Sequence, residues 1–224
     1  MPEDATLLPE LKLAAATGAR YVAGVDEVGR GALAGPVSVG VTVYDLHEPE
    51  LRLCRATGVA EGLHGVRDSK LLTAKARGRW APIVTARAAA SSVQHRAAAR
   101  IDEVGITAAL REAGLAGLDE VEDRLGRAVD AVILDGSHDW LTGGRSPRVT
   151  SMVKADVKAL SVASASVIAK VRRDALMEEL ALQHPGYGWD SNRGYGSAAH
   201  RAALVESGIT PHHRRSWNLL PAPV

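Results

Sequence analysis

This sequence of 224 residues predicts an α/β domain, a mixed β-sheet with helices packed on it. Three observations carry that prediction. Short runs rich in Val, Ile and Leu alternate with longer segments of helical period. The first two runs lie close enough to pair as antiparallel neighbours. A later run is apolar without a break, as in a strand covered on both faces.

Taken in order, Tyr21-Val22-Ala23-Gly24-Val25 is the first strand, followed by Asp26-Glu27 and then Gly29 and Gly31. Val37 to Tyr44 places Val at alternate positions over a full strand length. Residues 45–67 show no clean period and are expected as a surface loop. Helix is predicted from Thr73 through Arg87, a third strand of small residues over Ala88–Ala99, and helix again over Ile106–Leu125, weakened by Gly114 and Gly117. Ala131-Val132-Ile133-Leu134 is the unbroken apolar run, closed by Asp135-Gly136. Val149–Val153 is a further strand, leading to Lys154-Ala155-Asp156. A long helix then covers about Leu160–Leu182, with a face of small residues from Ala163 to Ala169 that lets it lie close on a sheet; His184-Pro185-Gly186 stops it. A last helix spans Ala198–Ser207, ahead of the basic tail His212-His213-Arg214-Arg215. The early strands form a meander and the later ones are joined by helical crossovers.

Composition narrows the class. Hydrophobic residues make up 46% and charged residues 24%, as in an ordinary globular chain, and Phe is absent. No apolar run approaches the roughly 18 residues that span a bilayer, and the first residues lack the order of a secretory signal. Cys54 is the only cysteine, which excludes an internal disulfide and points to the cytoplasm. Net charge is +1, but unevenly distributed. Residues 1–139 hold 16 basic against 20 acidic residues, and residues 140–224 hold 11 against 6. The basic C-terminal portion is suited to a phosphate backbone.

The chemistry-bearing residues are acids at strand ends: Asp26-Glu27, Asp135 and Asp156. One Asp after a strand is ordinary turn chemistry. Several gathered in one pocket would repel, and divalent metal resolves that conflict; an all-oxygen set suits Mg²⁺ or Mn²⁺. Two such ions could activate a water and stabilise the leaving oxygen of a phosphodiester.

The wording of the segments adds specificity. Gly24-Val25-Asp26-Glu27-Val28-Gly29-Arg30-Gly31-Ala32-Leu33-Ala34-Gly35-Pro36-Val37 closely resembles the N-terminal signature of the bacterial ribonuclease HII family. Asp68-Ser69-Lys70-Leu71, Leu134-Asp135-Gly136, Lys154-Ala155-Asp156 with the following helix to Asp174, and Asn192-Arg193-Gly194-Tyr195-Gly196 with His200 and Arg214-Arg215-Ser216-Trp217 resemble its later motifs, in family order.

That resemblance implies a ribonuclease H-like fold: a five-stranded mixed sheet flanked by helices, with a catalytic core over about 20–183 and a helical substrate-binding extension over about 184–217. It implies that Asp26, Glu27, Asp135 and Asp156 are the catalytic and metal-binding acids, with Asp26 bridging two divalent ions, Mg²⁺ or Mn²⁺. Gly29-Arg30-Gly31 would inspect the ribose 2′-OH and Tyr195 would stack on the adjacent sugar. The implied substrates are RNA/DNA hybrids and duplex DNA containing ribonucleotides, cut 5′ of the ribonucleotide to leave 5′-phosphate and 3′-hydroxyl ends. Lys70 is expected to bind phosphate, and Lys170 and Arg173, on one helix face, to contact the nucleic-acid backbone. The protein is expected as a monomer. Ala155 departs from the usual Gly of the family and Trp217 from the usual Phe, so the backbone before Asp156 is expected to shift slightly.

Competing readings are another ribonuclease H-fold nuclease and a catalytically silent duplex-binding protein. Zinc at His200, His212 and His213 is disfavoured for want of a cysteine partner or a helical H-E-x-x-H, and these histidines are expected to be solvated. Tyr187 and Trp189 are expected to pack rather than stack on bases.

Overall fold

The computed structural model describes residues 4–141 and 148–219. In chain order the elements are α1 (Leu8–Thr17), β1 (Tyr21–Val28), β2 (Val37–Asp45), β3 (Leu53–Cys54), β4 (Val59–Ala60), α2 (Ala74–Arg87), β5 (Ala90–Arg96), α3 (Ala98–Val104) and α4 (Ile106–Leu125). They continue with β6 (Ala131–Asp135), β7 (Arg148–Met152), α5 (Ala155–Lys158), α6 (Leu160–Gln183), α7 (Trp189–Asn192) and α8 (Ala198–Ser207). The main sheet runs β5-β2-β1-β6-β7, with β1 in the centre. β1, β2 and β5 form the expected antiparallel meander, and β6 and β7 run parallel to β1 and to each other.

Strand residues alternate between two cores. Val22, Tyr44 and Ile133 face α6 and α2 together with Leu160, Val162, Ala163 and Val167. Ala23, Val25, Val41 and Leu134 face α4 through Leu110, Ala113 and Leu118. The helix α6 lies very close to the sheet because glycines stand beneath it. A Cβ on Gly24 would sit 2.2 Å from the Ser161 carbonyl carbon, and one on Gly40 2.3 Å from the Ala165 oxygen. The small-residue face of α6 is the other half of this fit.

Four expectations change. Residues 45–67 are not merely a surface loop: they form β3 and β4 and send Leu51, Ala60 and Leu63 into the core. Their apolar residues follow neither helical nor strand period, so the pattern was silent. No helix links β6 to β7 among the described residues. Gly114 and Gly117 do not mark a weak point of α4. They are contact points, where a Cβ would meet Leu141 Cδ1 at 2.6 Å and Val41 Cγ2 at 2.8 Å. Asp26 and Glu27 do not follow β1 but belong to it, opposite Gly40 and Val39 of β2.

Residues 184–219 build a third, smaller core. Tyr187, Trp189, Ala203, Leu204 and Leu219 pack on Met177 of α6 and on Leu33 and Ala34 of the β1–β2 loop.

Candidate active site

The sheet order brings the acids together. Val25 of β1 pairs in parallel with Leu134 of β6, so Asp26 and Asp135 stand side by side one residue further on. β7 pairs its Met152 with Asp135 and hands the chain to the turn that carries Asp156. That turn is held from across the sheet: Asp135 Oδ1 accepts hydrogen bonds from the Ala155 amide at 2.7 Å and the Asp156 amide at 3.4 Å. The left-handed residue in this turn is Lys154, with φ of 58°, whereas Ala155 is helical and buried. The substitution of the family's usual Gly at 155 therefore imposes no strain.

The acids act on one another electrostatically. Burial, and then the charge of Glu27, pushes the Asp26 carboxyl well above the usual carboxylate range, with Asp135 and Asp156 adding to the push and Ser166 opposing it. Glu27 is raised by burial, against the pull of Arg30 and with the repulsion of Asp135. Asp156 is raised by burial, Asp135 and Asp68, against Lys70. Lone carboxylates in such a cluster must hold protons or cations.

Three of the four acids also lean on a neighbour: Glu27 on Arg30 at 3.6 Å, Asp156 on Lys70 at 3.5 Å, and Asp135 on the two amides. Turned this way, the described carboxylates do not form a closed three-ligand cage. The donor set nevertheless fits hard divalent cations, because it is all oxygen and its members raise one another's proton affinity.

The second motif packs beneath this cluster. Asp68 is buried and its side chain accepts from the Lys70 amide at 2.9 Å. Ser166 of α6 donates to Ser69 at 2.9 Å, and Arg77 donates to the Ser69 carbonyl at 2.9 Å. Lys70 extends from this turn with its side chain 74% exposed, and Asp68, Asp26 and Asp156 raise its pKa against the burial that would lower it.

Beside the acids runs the loop from Gly29 to Pro36. Gly29 has φ of 82°, and a Cβ there would be 2.0 Å from Arg173 Nε. Gly31 is different. It needs no positive φ, and a Cβ added to it meets nothing among the described residues. Tyr195 joins the loop through its neighbour Gly194, whose carbonyl accepts from the Leu33 amide at 2.8 Å and the Ala34 amide at 3.1 Å. The Tyr195 ring is partly exposed, 5.6 Å from the Arg173 guanidinium carbon.

Two expected backbone contacts are corrected. Arg173 has no exposed surface. It donates to the carbonyls of Pro36 at 2.8 Å, Arg193 at 2.9 Å and Ala34 at 3.3 Å, so its donors are spent inside the protein. Lys170 is held by Asp174 at 2.6 Å and is largely covered. The i, i+3 spacing was right, but the face they share is turned inward. The tail is also inward. His200 and His213 are fully buried, their Nε2 atoms 3.1 Å apart, and Trp189 Nε1 donates to His200 at 3.1 Å. They were expected in solvent. Tyr187 and Trp189 stack on each other at 5.1 Å and pack, as expected.

The sequence places Arg214 in a family motif and in the basic tail but assigns it no role. It reads as one charge in a basic run, yet it is fully buried. Its guanidinium donates to Gly29 O at 2.6 Å, Arg30 O at 2.7 Å and Gly35 O at 3.2 Å. No local pattern distinguishes it from the exposed Arg215 that follows.

A mixed sheet in this order, with carboxylates at the ends of its central strands and a helix across them, defines a ribonuclease H-like nuclease. The family model for Ribonuclease HII matches residues 23–220, and the chain belongs to that family. It is 43% identical over 220 residues to the ribonuclease HII of Streptomyces avermitilis, covering 98% of this chain and 86% of that one. Among solved structures, the ribonuclease H2 of Pyrococcus horikoshii OT3 superposes with a TM-score of 0.70 at 27% identity, covering 89% of this chain and 94% of its own. Ribonuclease HII from Archaeoglobus fulgidus, solved in complex with PCNA, gives 0.66 at 26% identity, with coverage of 91% and 98%. The chain is thus an endoribonuclease of the ribonuclease H type, which acts on RNA/DNA hybrids.

Proposed function

We propose that this enzyme, besides cutting the RNA strand of hybrids, incises duplex DNA on the 5′ side of a single embedded ribonucleotide, leaving 5′-phosphate and 3′-hydroxyl ends. One observation carries the reading: the loop that bears Gly29–Gly31 follows Asp26 and Glu27 directly, and its Leu33 and Ala34 amides donate to the carbonyl of Gly194, the neighbour of Tyr195. Gly31 supports it further. A glycine in ordinary conformation costs chain entropy and here relieves no clash, so it suits the close approach of a ligand. The 2′-OH is the group that separates RNA from DNA at such a contact.

In this mechanism Asp26, Glu27, Asp135 and Asp156 would hold the divalent ions, Mg²⁺ or Mn²⁺. Bound there, the ions supply water activation and charge stabilisation at the leaving oxygen. The protein's own residues do the rest. Asp135 fixes the Asp156 turn through the Ala155 amide. Lys70, exposed beside Asp156, meets the phosphate. Arg30, half-exposed, carries positive charge to the backbone of the duplex. Tyr195 stacks on the sugar of the next nucleotide. Residues 20–183 act as the catalytic core and 184–217 as the extension that presents Tyr195. The enzyme works as a monomer in the cytoplasm, a compartment that suits the exposed thiol of Cys54.

The test is a labelled DNA duplex with one ribonucleotide, alongside all-DNA and RNA/DNA duplexes, in Mg²⁺, Mn²⁺ or EDTA. Metal-dependent cutting 5′ of the lone ribonucleotide, with all-DNA intact, is the expected result. Cutting confined to the long hybrid would overturn embedded-ribonucleotide incision, and no cutting in either metal would overturn the enzyme reading.

A further inference from the structure

The loop that bears Gly29, Arg30 and Gly31 is held from behind by two arginines with no exposed surface, Arg173 and Arg214. Between them they take the carbonyls of Gly29, Arg30, Ala34, Gly35 and Pro36. The Leu33 carbonyl accepts from the Arg214 amide at 2.9 Å, and the Gly35 amide donates to His212 O at 2.8 Å. Arg173 also takes the carbonyl of Arg193, in the turn just before Tyr195.

Two buried guanidinium groups so near each other are a costly way to fill space. Burial lowers the Arg214 pKa to about 9, and the charge of Arg173 adds to the effect. An apolar side chain would fill the volume with less desolvation. What it could not do is direct carbonyls.

The direction matters because a trans peptide is planar, with its C=O and N–H on opposite edges. No described peptide bond here is cis. With Gly29 O and Arg30 O drawn inward to Arg214, the amides of Arg30 and Gly31 must face the opposite way, out of the protein. Two adjacent outward N–H groups form a donor pair at the glycine that leaves open space beside it. We infer that Arg214, with Arg173, is a positioning residue for sugar discrimination: by holding the Gly29 and Arg30 carbonyls inward it aims the Arg30 and Gly31 amides at the 2′-hydroxyl, and by bridging to Arg193 it fixes Tyr195 in the same frame. This rests on the function proposed above.

The experiment compares wild type with Arg214→Lys, which keeps a charge but offers donors from one atom and cannot span Gly29, Arg30 and Gly35 together. Binding is measured in Ca²⁺ to an all-DNA duplex and to the same duplex with one ribonucleotide, and kcat/KM is measured on the latter in Mg²⁺. The wild type prefers the ribonucleotide duplex. In Arg214→Lys that preference collapses towards one while affinity for all-DNA holds, and kcat/KM falls by roughly tenfold to a hundredfold. A loss of folded protein alone would weaken both duplexes equally, so circular dichroism accompanies the binding, and an unchanged ratio in a folded variant overturns the inference. Should the variant not fold, amide exchange on wild type decides. The amides of Leu33, Ala34 and Gly35 exchange slowly if the loop is braced, and rapid exchange there overturns the brace. A wild type that shows neither preference nor incision overturns the proposed function and this inference with it. A wild type that shows both, beside a variant that keeps the ratio, overturns the inference alone.

Discussion

Asp135 Oδ1 accepts a hydrogen bond from the Ala155 amide at 2.7 Å, so one of the clustered acids holds the backbone that delivers another, Asp156. An Asn oxygen can accept the same bond. Asp135→Asn should therefore keep the fold and its thermal midpoint while removing one negative charge from the cluster. Metal-dependent cleavage should fall by about a hundredfold or more, the scale of losing one stabilising group at a reacting centre. Cleavage and circular dichroism on the same preparation check this, and full activity would remove Asp135 from the site.

Gly29 and Gly31 should respond oppositely to the same substitution. Gly29→Ala forces a Cβ to 2.0 Å from Arg173 at a positive φ, so it should destabilise the protein by about 2 kcal/mol or more. Gly31→Ala meets no described atom and should leave stability unchanged or slightly improved. It should still lower incision at a single ribonucleotide, because the added methyl occupies the approach of the sugar. Thermal melts paired with cleavage assays separate the two, and an active Gly31→Ala would argue that the sugar binds elsewhere.

Glu10 gives a pH signature away from the acids. It is fully buried, one oxygen accepting from the Ser161 amide at 2.8 Å and hydroxyl at 2.6 Å, the other without a hydrogen-bond partner among the described residues. Burial raises its pKa from 4.5 to about 7, against the Ser161 hydrogen bonds. The folded state thus keeps a proton that the unfolded chain releases first, so stability is lost as pH rises from about 4.5 through 7. Glu10→Gln has no such titration. Between pH 5 and 8 the wild type should lose on the order of 2–3 kcal/mol relative to the Gln variant. Denaturant unfolding across that range is the measurement, and a constant difference would show that Glu10 stays ionised.

Ala155→Gly restores the family's usual residue. Because Ala155 is buried and helical, the change should cost about 1 kcal/mol of stability. Cleavage should stay within about twofold, since Lys154 rather than residue 155 takes the left-handed turn. A larger activity change, in either direction, would mean that residue 155 touches the substrate or sets the position of Asp156.

The sequence by itself determined the sheet, most of the helices and the acids. Strand periodicity and the apolar run before Asp135 are local signals, and carboxylates at strand ends are visible wherever strands are. The motif wording identified the family that the comparisons then showed. Tertiary structure alone decided which charges face inward. Arg172 and Arg173 look alike in the chain, as do Arg214 and Arg215, yet one of each pair is buried, because a guanidinium is buried only where carbonyls from distant segments converge to meet its donors. That convergence depends on Gly29 to Pro36, Arg193 and the tail meeting in space. The same holds for Glu10, whose environment is made by Ser161 of α6, 151 residues away. Periodicity reports which face a residue occupies on its own element, and only the packing of elements says whether that face meets water.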